Sequence, residues 1–256
     1  MLIDTHAHLV AEQFNDDRDA VIERAIAAGV EFMVSVATTV ESSQRCIELA
    51  AKHPAIRASV GIHPNNAAEA GADDWNRIVE LAASPQVVAL GETGLDRHWE
   101  DTPFPMQQDY FDRHLRLSQQ TGLPAVIHLR ECDADMLEML RDARRRGPLA
   151  AVMHSFAGAA ETAAECVELG LFISFAGMVT FKKSDALRMI AQSIPDDRLL
   201  VETDCPYLSP DPLRGKRNEP SRVVHTARCI AQARGVSFEQ LAELTTRNAR
   251  RLFSLH

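Results

Sequence analysis

The chain opens Met-Leu-Ile-Asp-Thr-His-Ala-His, so that His6 and His8 close a short apolar run. Side chains two apart on a strand share a face. Asp4, His6 and His8 are therefore expected to point the same way, setting two imidazoles side by side at the strand end. That pair is half of a metal site, although an isolated His-x-His more often marks two ordinary histidines. What changes the reading is a set of further donors at wide intervals: Glu92, His128, His154 and Asp204. Neutral imidazoles and carboxylates are the ligands that divalent transition ions take, and carboxylates also move protons.

Short runs rich in Val, Ile, Leu and Ala at residues 2–5, 32–37, 56–61, 87–91, 125–128, 151–154, 172–175 and 199–203 read as eight strands. Helical periodicity fills the intervals at 17–28, 40–52, 74–83, 105–121, 133–146, 159–169 and 184–192, and a last helix at 238–253 is expected to pack back on the sheet. Strands apolar on both parities and separated by helices are buried parallel strands, and eight such units predict an α/β fold closed as a single (β/α)8 TIM barrel. A doubly wound open sheet is the alternative. The 256 residues, 46% hydrophobic and 25% charged, suit one barrel domain spanning 1–256, with no linker or low-complexity tract.

On this map His6 and His8, Glu92, His128, His154 and Asp204 all fall at C-terminal strand ends. In a barrel those ends form one mouth, so residues distant in sequence converge there. Each has an ordinary explanation taken alone: a loop carboxylate, a core histidine, a helix cap. Together they would leave four histidines and two carboxylates at the tops of buried strands without partners, which is costly. Two cations are expected: one held by His6, His8 and Asp204, the other by His128 and His154, with Glu92 bridging. Two divalent ions about 3.5–4 Å apart can acidify a water and neutralise the attacking and leaving oxygens of a phosphodiester. Asp204 is positioned to take the water's proton. Imidazole-rich coordination suits Zn or Mn better than Mg.

The blocks Ile3-Asp4-Thr5-His6-Ala7-His8-Leu9, Gly61-Ile62-His63-Pro64, Gly91-Glu92-Thr93-Gly94-Leu95-Asp96, His154-Ser155-Phe156-Ala157-Gly158 and Glu202-Thr203-Asp204-Cys205-Pro206-Tyr207-Leu208 resemble the TatD family of metal-dependent deoxyribonucleases. The segments 124–130, 214–220 and 246–253 extend the resemblance over almost the whole chain. It implies a TIM-barrel hydrolase of the amidohydrolase superfamily that cleaves DNA phosphodiesters with two divalent ions, often from a 3' end, with Mg supporting activity. The ligands it implies are His6, His8, Glu92, His128, His154 and Asp204, the set reached from strand ends. Glu92 stands where phosphotriesterase-like barrels often carry a bridging lysine, which favours the nuclease branch. Arg97-His98 stands where many members have an aromatic pair.

Other residues complete the expected site. His63 faces the same mouth and is suited to a phosphate or leaving oxygen, or equally to stabilising its own turn. Arg130 shares the side of His128 and can hold a phosphate, or pair with a neighbouring carboxylate. Lys216 and Arg217 lie after the last strand on the catalytic side, where they could meet the DNA backbone. Glu202 shares parity with Asp204 and is expected to orient a ligand. Arg144, Arg145 and Arg146 end a helix and read as a solvated face.

Composition sets bounds on function and compartment. The net charge of -9 argues against broad electrostatic capture of nucleic acid, so any phosphate site must be local. No apolar run approaches the ~20 residues of a membrane span. The five scattered cysteines suggest no disulfide framework and a reducing cytoplasm. The expected substrate is DNA, single-stranded or at 3' ends, with no membrane or obligate protein partner. The rival function is an esterase, lactonase or C-N hydrolase acting on a small metabolite.

Overall fold

A computed structural model of the chain describes residues 1–255; His256, the last residue of the expected domain, lies outside the described residues. Eight strands alternate with helices: β1 (Leu2–Ala7), α1 (Arg18–Ala27), β2 (Val30–Ser35), α2 (Val40–Lys52), β3 (Ile56–Val60), α3 (Asp74–Leu81), β4 (Val87–Asp96), α4 (Phe104–Thr121), β5 (Ala125–Arg130), α5 (Asp133–Arg146), β6 (Ala151–Met153), α6 (Ala160–Glu168), β7 (Phe172–Phe175), α7 (Asp185–Ser193) and β8 (Leu199–Val201). Two helices, α8 (Val223–Arg234) and α9 (Phe238–Phe253), follow. The sheet runs β1 to β8 in chain order with every hydrogen-bonded pair parallel. The fold is a single (β/α)8 barrel.

The strands are apolar on both parities because both faces are buried. Ile3, Val34, Ala89, Val126, Val152 and Leu200 fill the barrel interior, while Leu2, Met33, Ala58, Leu90, Ile127 and Leu199 face the helices. Burying each such Leu, Ile or Val contributes roughly 1.5–3 kcal/mol. The last helix begins at a capping box, Ser237 with Gln240, and its Ala249, Leu252 and Phe253 plug the interior from below. Asn248 Nδ2 fixes that plug by donating to the carbonyls of Asp196 (2.7 Å) and Leu199 (2.9 Å).

The barrel closes at the site. Beyond its last ladder residue, the β8 chain meets β1 in one bridge, Ala7 with Cys205, flanked by Asp204 N–H donating to His6 O (2.9 Å) and His8 N–H donating to Cys205 O (2.8 Å). Residues that carry the donors thus also zip the seam.

Three features depart from the expected map. The first is β4, which continues past Gly91 to Asp96 and carries one extra residue against β5: Leu90 pairs with Ala125 but Thr93 with Ile127. A bulge of this kind re-aims side chains, here around Gly91 and Glu92. The second is α8, absent from the sequence map although Pro220 precedes it and Gly235 ends it with φ +67°. The third is Asp4, which does not join the histidines. Its Oδ1 accepts from Thr203 N–H (2.9 Å) and its Oδ2 from Thr203 Oγ1 (2.6 Å), and the β1–β2 register shifts between Asp4 and Ala7. Simple alternation therefore fails between Asp4 and His6.

His114 on α4 buttresses the turn after β3. Its Nδ1–H donates to Tyr110 O (2.7 Å), so its Nε2 accepts from Ile62 N–H (3.2 Å). Full burial of this neutral ring pushes its pKa from 6.5 down to about 4.

Two predictions follow from this scaffold. Gly94 has φ +136°, and a Cβ there would overlap the carbonyl oxygen of His128. Gly94→Ala should lower stability by about 1–3 kcal/mol from backbone strain alone and displace His128, read as a lower melting temperature with weakened metal binding; unchanged values for both would refute this constraint. For His114, the unfolded chain takes up a proton near pH 6.5 that the folded chain refuses until about 4. Stability should fall as pH drops through that window, by about 3 kcal/mol in all, with no further loss from this group below it. His114→Gln, which keeps a donor and an acceptor, should show a shallower slope between those pH values in urea titrations; an unchanged slope would clear His114.

Candidate metal centre

Five imidazoles and two carboxylates meet at the barrel mouth, around Glu92. Its two oxygens divide the group. Oε2 lies 3.5 Å from His6 Nε2 and 3.6 Å from His8 Nε2. Oε1 lies 3.1 Å from His128 Nδ1, 2.8 Å from His154 Nε2 and 3.4 Å from His63 Nε2. Asp204 adds Oδ1 at 3.4 Å from His8 Nε2 and 3.7 Å from His6 Nε2. His6 and His8 present their Nε2 atoms 3.2 Å apart, and His128 Nδ1 faces His154 Nε2 at 3.3 Å.

These spacings test whether cations fit. Four donors around an ion at about 2.0–2.2 Å stand roughly 3.3–3.6 Å from one another in a tetrahedron. The separations of His6 and His8 from each other, from Glu92 and from Asp204, 3.2 to 3.7 Å, match that edge, and His6, His8 and Glu92 form a compact donor group. Glu92, His128 and His154 form a second, smaller group on the other oxygen. His6 and His154 rings stack at 4.0 Å. Two buried atoms, His6 Nδ1 and Glu202 Oε2, lack any hydrogen-bond partner. So dense a set of lone pairs and anions accommodates positive charge between its members, and the residues fit two divalent ions.

Three of the rings, those of His8, His128 and His154, are held from behind, which selects the nitrogen each offers. His8 Nδ1 lies 3.1 Å from Val36 O, leaving Nε2 for the cluster. His154 Nδ1 meets Glu202 Oε1 at 3.3 Å, and that oxygen also accepts from Ser155 N–H (2.8 Å). His128 is reversed: its Nε2 meets Asp96 Oδ2 at 2.9 Å and its Nδ1 faces Glu92. Carboxylates and carbonyls behind ligating imidazoles fix tautomer and orientation.

His63 is different. Its Nδ1 accepts from Asn65 N–H (3.1 Å), so in the neutral ring Nε2 carries the proton and is a donor. Burial pushes its pKa down and keeps the ring neutral. The turn role expected from the sequence is present at Nδ1, and Nε2 lies 3.4 Å from Glu92 Oε1.

The electrostatics are those of a buried anion amid imidazoles. Burial alone would raise the Glu92 carboxyl, but His154, His63 and His128 outweigh it and hold it well below the usual range. The converse holds at His154, where burial opposes protonation but Glu92 and Glu202 raise the pKa well above normal. Asp204 is held down by His8 and His6 against its burial. It also adopts φ +56°, a left-handed conformation that Asp tolerates better than most residues.

The cluster forms the floor of a cavity of about 870 Å³, whose lining includes His8, Arg45, His63, Asn65, Glu92, Asp96, Trp99, His128, Arg130, His154, Asp204 and Tyr207. Arg130 is exposed, and its guanidinium sits over the Trp99 ring at 5.8 Å rather than on a carboxylate. Lys216 and Arg217 do not line this cavity. Arg217 pairs instead with Asp17 (2.7 Å) and lies over Phe14, while Lys216 is exposed. Arg146 pairs with Asp112 (2.7 Å) and Arg145 with Asp142. Sequence reasoning passed over Asp96, Asn65, Arg45, Trp99 and Tyr207. Asp96 had a signal, since it ends the same Gly-Glu-Thr-Gly-Leu-Asp block as Glu92; Arg45, on α2, had none.

A barrel of this topology, with two donor groups sharing one carboxylate at its mouth, defines a metal-dependent hydrolase. Residues 3–254 match the family described as TatD related DNase, and the chain belongs to it. It is 42% identical over 256 residues to the uncharacterized metal-dependent hydrolase YabD of Bacillus subtilis, with 100% of each chain covered. It is 37% identical over 259 residues to the 3'-5' ssDNA/RNA exonuclease TatD of Citrobacter rodentium, covering 99% of this chain and 98% of that one. The crystal structure of YJJV, a TatD homolog from Escherichia coli K12, superposes with a TM-score of 0.93 at 28% identity, covering 100% of this chain and 98% of that one. Among the described residues no helix is long and apolar enough to cross a membrane.

Cations that bind only the folded site must stabilise it. Adding Mn or Zn at about 100 times its dissociation constant to chelator-stripped protein should contribute about 2.7 kcal/mol, several degrees of melting temperature by calorimetry. Glu92→Gln should lose most of that gain. Equal melting with and without the ions would count against the centre.

Proposed function

We propose that the protein is a 3'-5' exonuclease of single-stranded DNA that uses two divalent cations, Zn, Mn or Mg, one held by His6, His8 and Asp204, the other by His128 and His154, with Glu92 shared. The observation that carries this reading is the division of Glu92, one oxygen toward each imidazole pair. Bound there, the ions would supply the charge that acidifies water and neutralises phosphate oxygens.

The chain's own residues supply the rest. Glu92, kept ionised by the imidazoles around it, holds the two donor groups in register. Asp204 uses Oδ1 toward His6 and His8, so its second oxygen is free to take the proton of an attacking water. His63 donates from Nε2 to a phosphate or leaving oxygen. Arg130, exposed at the mouth without a carboxylate partner, provides a fork for the next phosphate along the strand. Asp96 and Glu202 keep His128 and His154 turned toward the centre. In the loop after β8, Lys216 is better placed than Arg217 for the DNA backbone, because the Arg217 guanidinium is engaged by Asp17.

The same centre can hydrolyse other esters, so the test must separate substrates. Chelator-stripped protein is assayed with single strands labelled at either end and with a panel of lactones, before and after Mn, Zn or Mg is restored. Stepwise loss of the 3' label only with metal supports the proposal, and lactone turnover without strand cleavage rejects it. Glu92→Ala and Asp204→Ala should each lower strand cleavage by about a thousandfold while the barrel stays folded; His63→Ala should raise KM more than it lowers kcat. Wild-type turnover in either carboxylate variant would overturn the assigned roles.

A further inference from the structure

The chain has two tryptophans and two tyrosines, and they divide cleanly by environment. Trp75 and Tyr110 pack edge to face with centroids 6.4 Å apart, partly covered between α3 and α4. Trp99 and Tyr207 are 51% and 53% exposed, the two exposed aromatic side chains among the described residues, and both line the cavity above the metal centre. Two large aromatic faces left in water at one mouth are binding surface rather than core.

Both are tied by a backbone N–H to an aspartate of the centre, Trp99 to a carboxylate and Tyr207 to a main-chain carbonyl. Trp99 N–H donates to Asp96 Oδ1 (3.2 Å), and Asp96 in turn holds His128. Tyr207 N–H donates to Asp204 O (3.0 Å), and its ring meets His8 edge-on at 6.0 Å. Each aromatic thus stands three residues beyond an aspartate that touches an imidazole of the cluster. The loop bearing Trp99 is also pinned. Arg97 makes a bidentate pair with Asp135 (3.0 and 3.1 Å) and covers Phe104 at 3.6 Å, and His98 Nδ1 meets Glu131 at 2.9 Å. Arg97 and His98 therefore anchor the loop and leave Trp99 as its exposed aromatic face. Arg130, over the Trp99 ring, joins a cation to that face.

We infer that Trp99 and Tyr207 are stacking platforms for the unpaired nucleobases flanking the scissile phosphate, and that they set the preference for a single-stranded end. The inference rests on the nuclease reading above and deepens it. Bases in a duplex have their faces covered by neighbours, whereas a frayed or single-stranded end offers them. Aromatic stacking tolerates every base, which suits an enzyme that removes nucleotides in succession. The phosphate meets the centre while the bases lie on the rim, so these platforms act on binding and not on bond cleavage.

The test compares oligonucleotides whose two 3'-terminal residues are either normal or abasic. Wild-type protein with metal should favour the normal end by about tenfold in kcat/KM, carried by KM. Trp99→Ala and Tyr207→Ala should each lose most of that preference through KM, and Trp99→Phe should restore it. Equal cleavage of both ends by the wild type, or full preference in Trp99→Ala, would overturn the inference. A second readout needs no turnover. In a Trp75→Phe protein the remaining tryptophan is Trp99, and its fluorescence should be quenched by oligothymidylate but not by the abasic strand; unchanged emission overturns the platform. Quenching without cleavage of any strand would sink the nuclease reading and leave the nucleobase site standing. Cleavage without base discrimination or quenching would do the reverse.

Discussion

A buried carboxylate that stays ionised is the constraint on which the mouth of this barrel is built. Glu92 is 3% exposed, and an isolated anion at that depth would take up a proton. It does not, because imidazole nitrogens stand within 3.6 Å of both its oxygens. The rings of His6, His8, His128 and His154 share this one anion, each with a nitrogen within 3.6 Å of one of its oxygens. Divalent cations held there would take the place of the protons that the anion otherwise draws onto the rings. Asp96, Glu202 and the Val36 carbonyl then hold individual rings from behind.

The barrel makes this possible by supplying each donor from a different strand end while burying the remainder of every strand. Closure between β1 and β8 is the weakest part of the sheet by hydrogen bonding, a single bridge, and it coincides with His6, His8 and Asp204. The seam is completed below by α9, whose apolar end packs under the interior residues. Geometry at the centre is therefore coupled to closure of the fold: Asp204 N–H donates to the carbonyl of His6, so the backbone that zips the barrel also sets the distance between two donors.

Much of this was legible in the sequence, for a physical reason. Strands buried on both faces must be apolar throughout, so a polar residue at the end of such a run stands out, and all six expected donors do. What escaped was what periodicity does not encode. Asp4 has the parity of His6 yet turns to Thr203, because the β1–β2 register shifts between them. Glu92 lies inside a longer β4 and is aimed by a bulge at Gly91, a position where a Cβ would lie 2.6 Å from the Val126 carbonyl. Asp96 acts only through His128, and a residue that acts through another leaves no spacing signature of its own. Arg217 carries the right charge in the right loop, but its partner Asp17 is 200 residues away in sequence. The helix α8 was the plain omission, with a proline before it and a left-handed glycine after it.

Charge explains why the centre and its rim divide their work. The chain is at -9 overall, and the cavity wall carries Glu12, Glu92, Asp96 and Asp204 against two arginines, Arg45 and Arg130. On the nuclease reading, such a mouth would repel a phosphodiester unless cations occupied it, and a chain of this charge would offer little long-range attraction to duplex DNA. Affinity for a strand would then come from short-range contacts within its reach: the Arg130 fork, the His63 donor and the exposed aromatic faces proposed above. Short-range contacts of this kind discriminate by shape, because they require bases and phosphates to be presented separately. A stacked duplex presents only its phosphates to a cavity this deep. On that reading, the deficit of positive charge on the protein surface and the aromatic character of the rim would both favour unpaired strands.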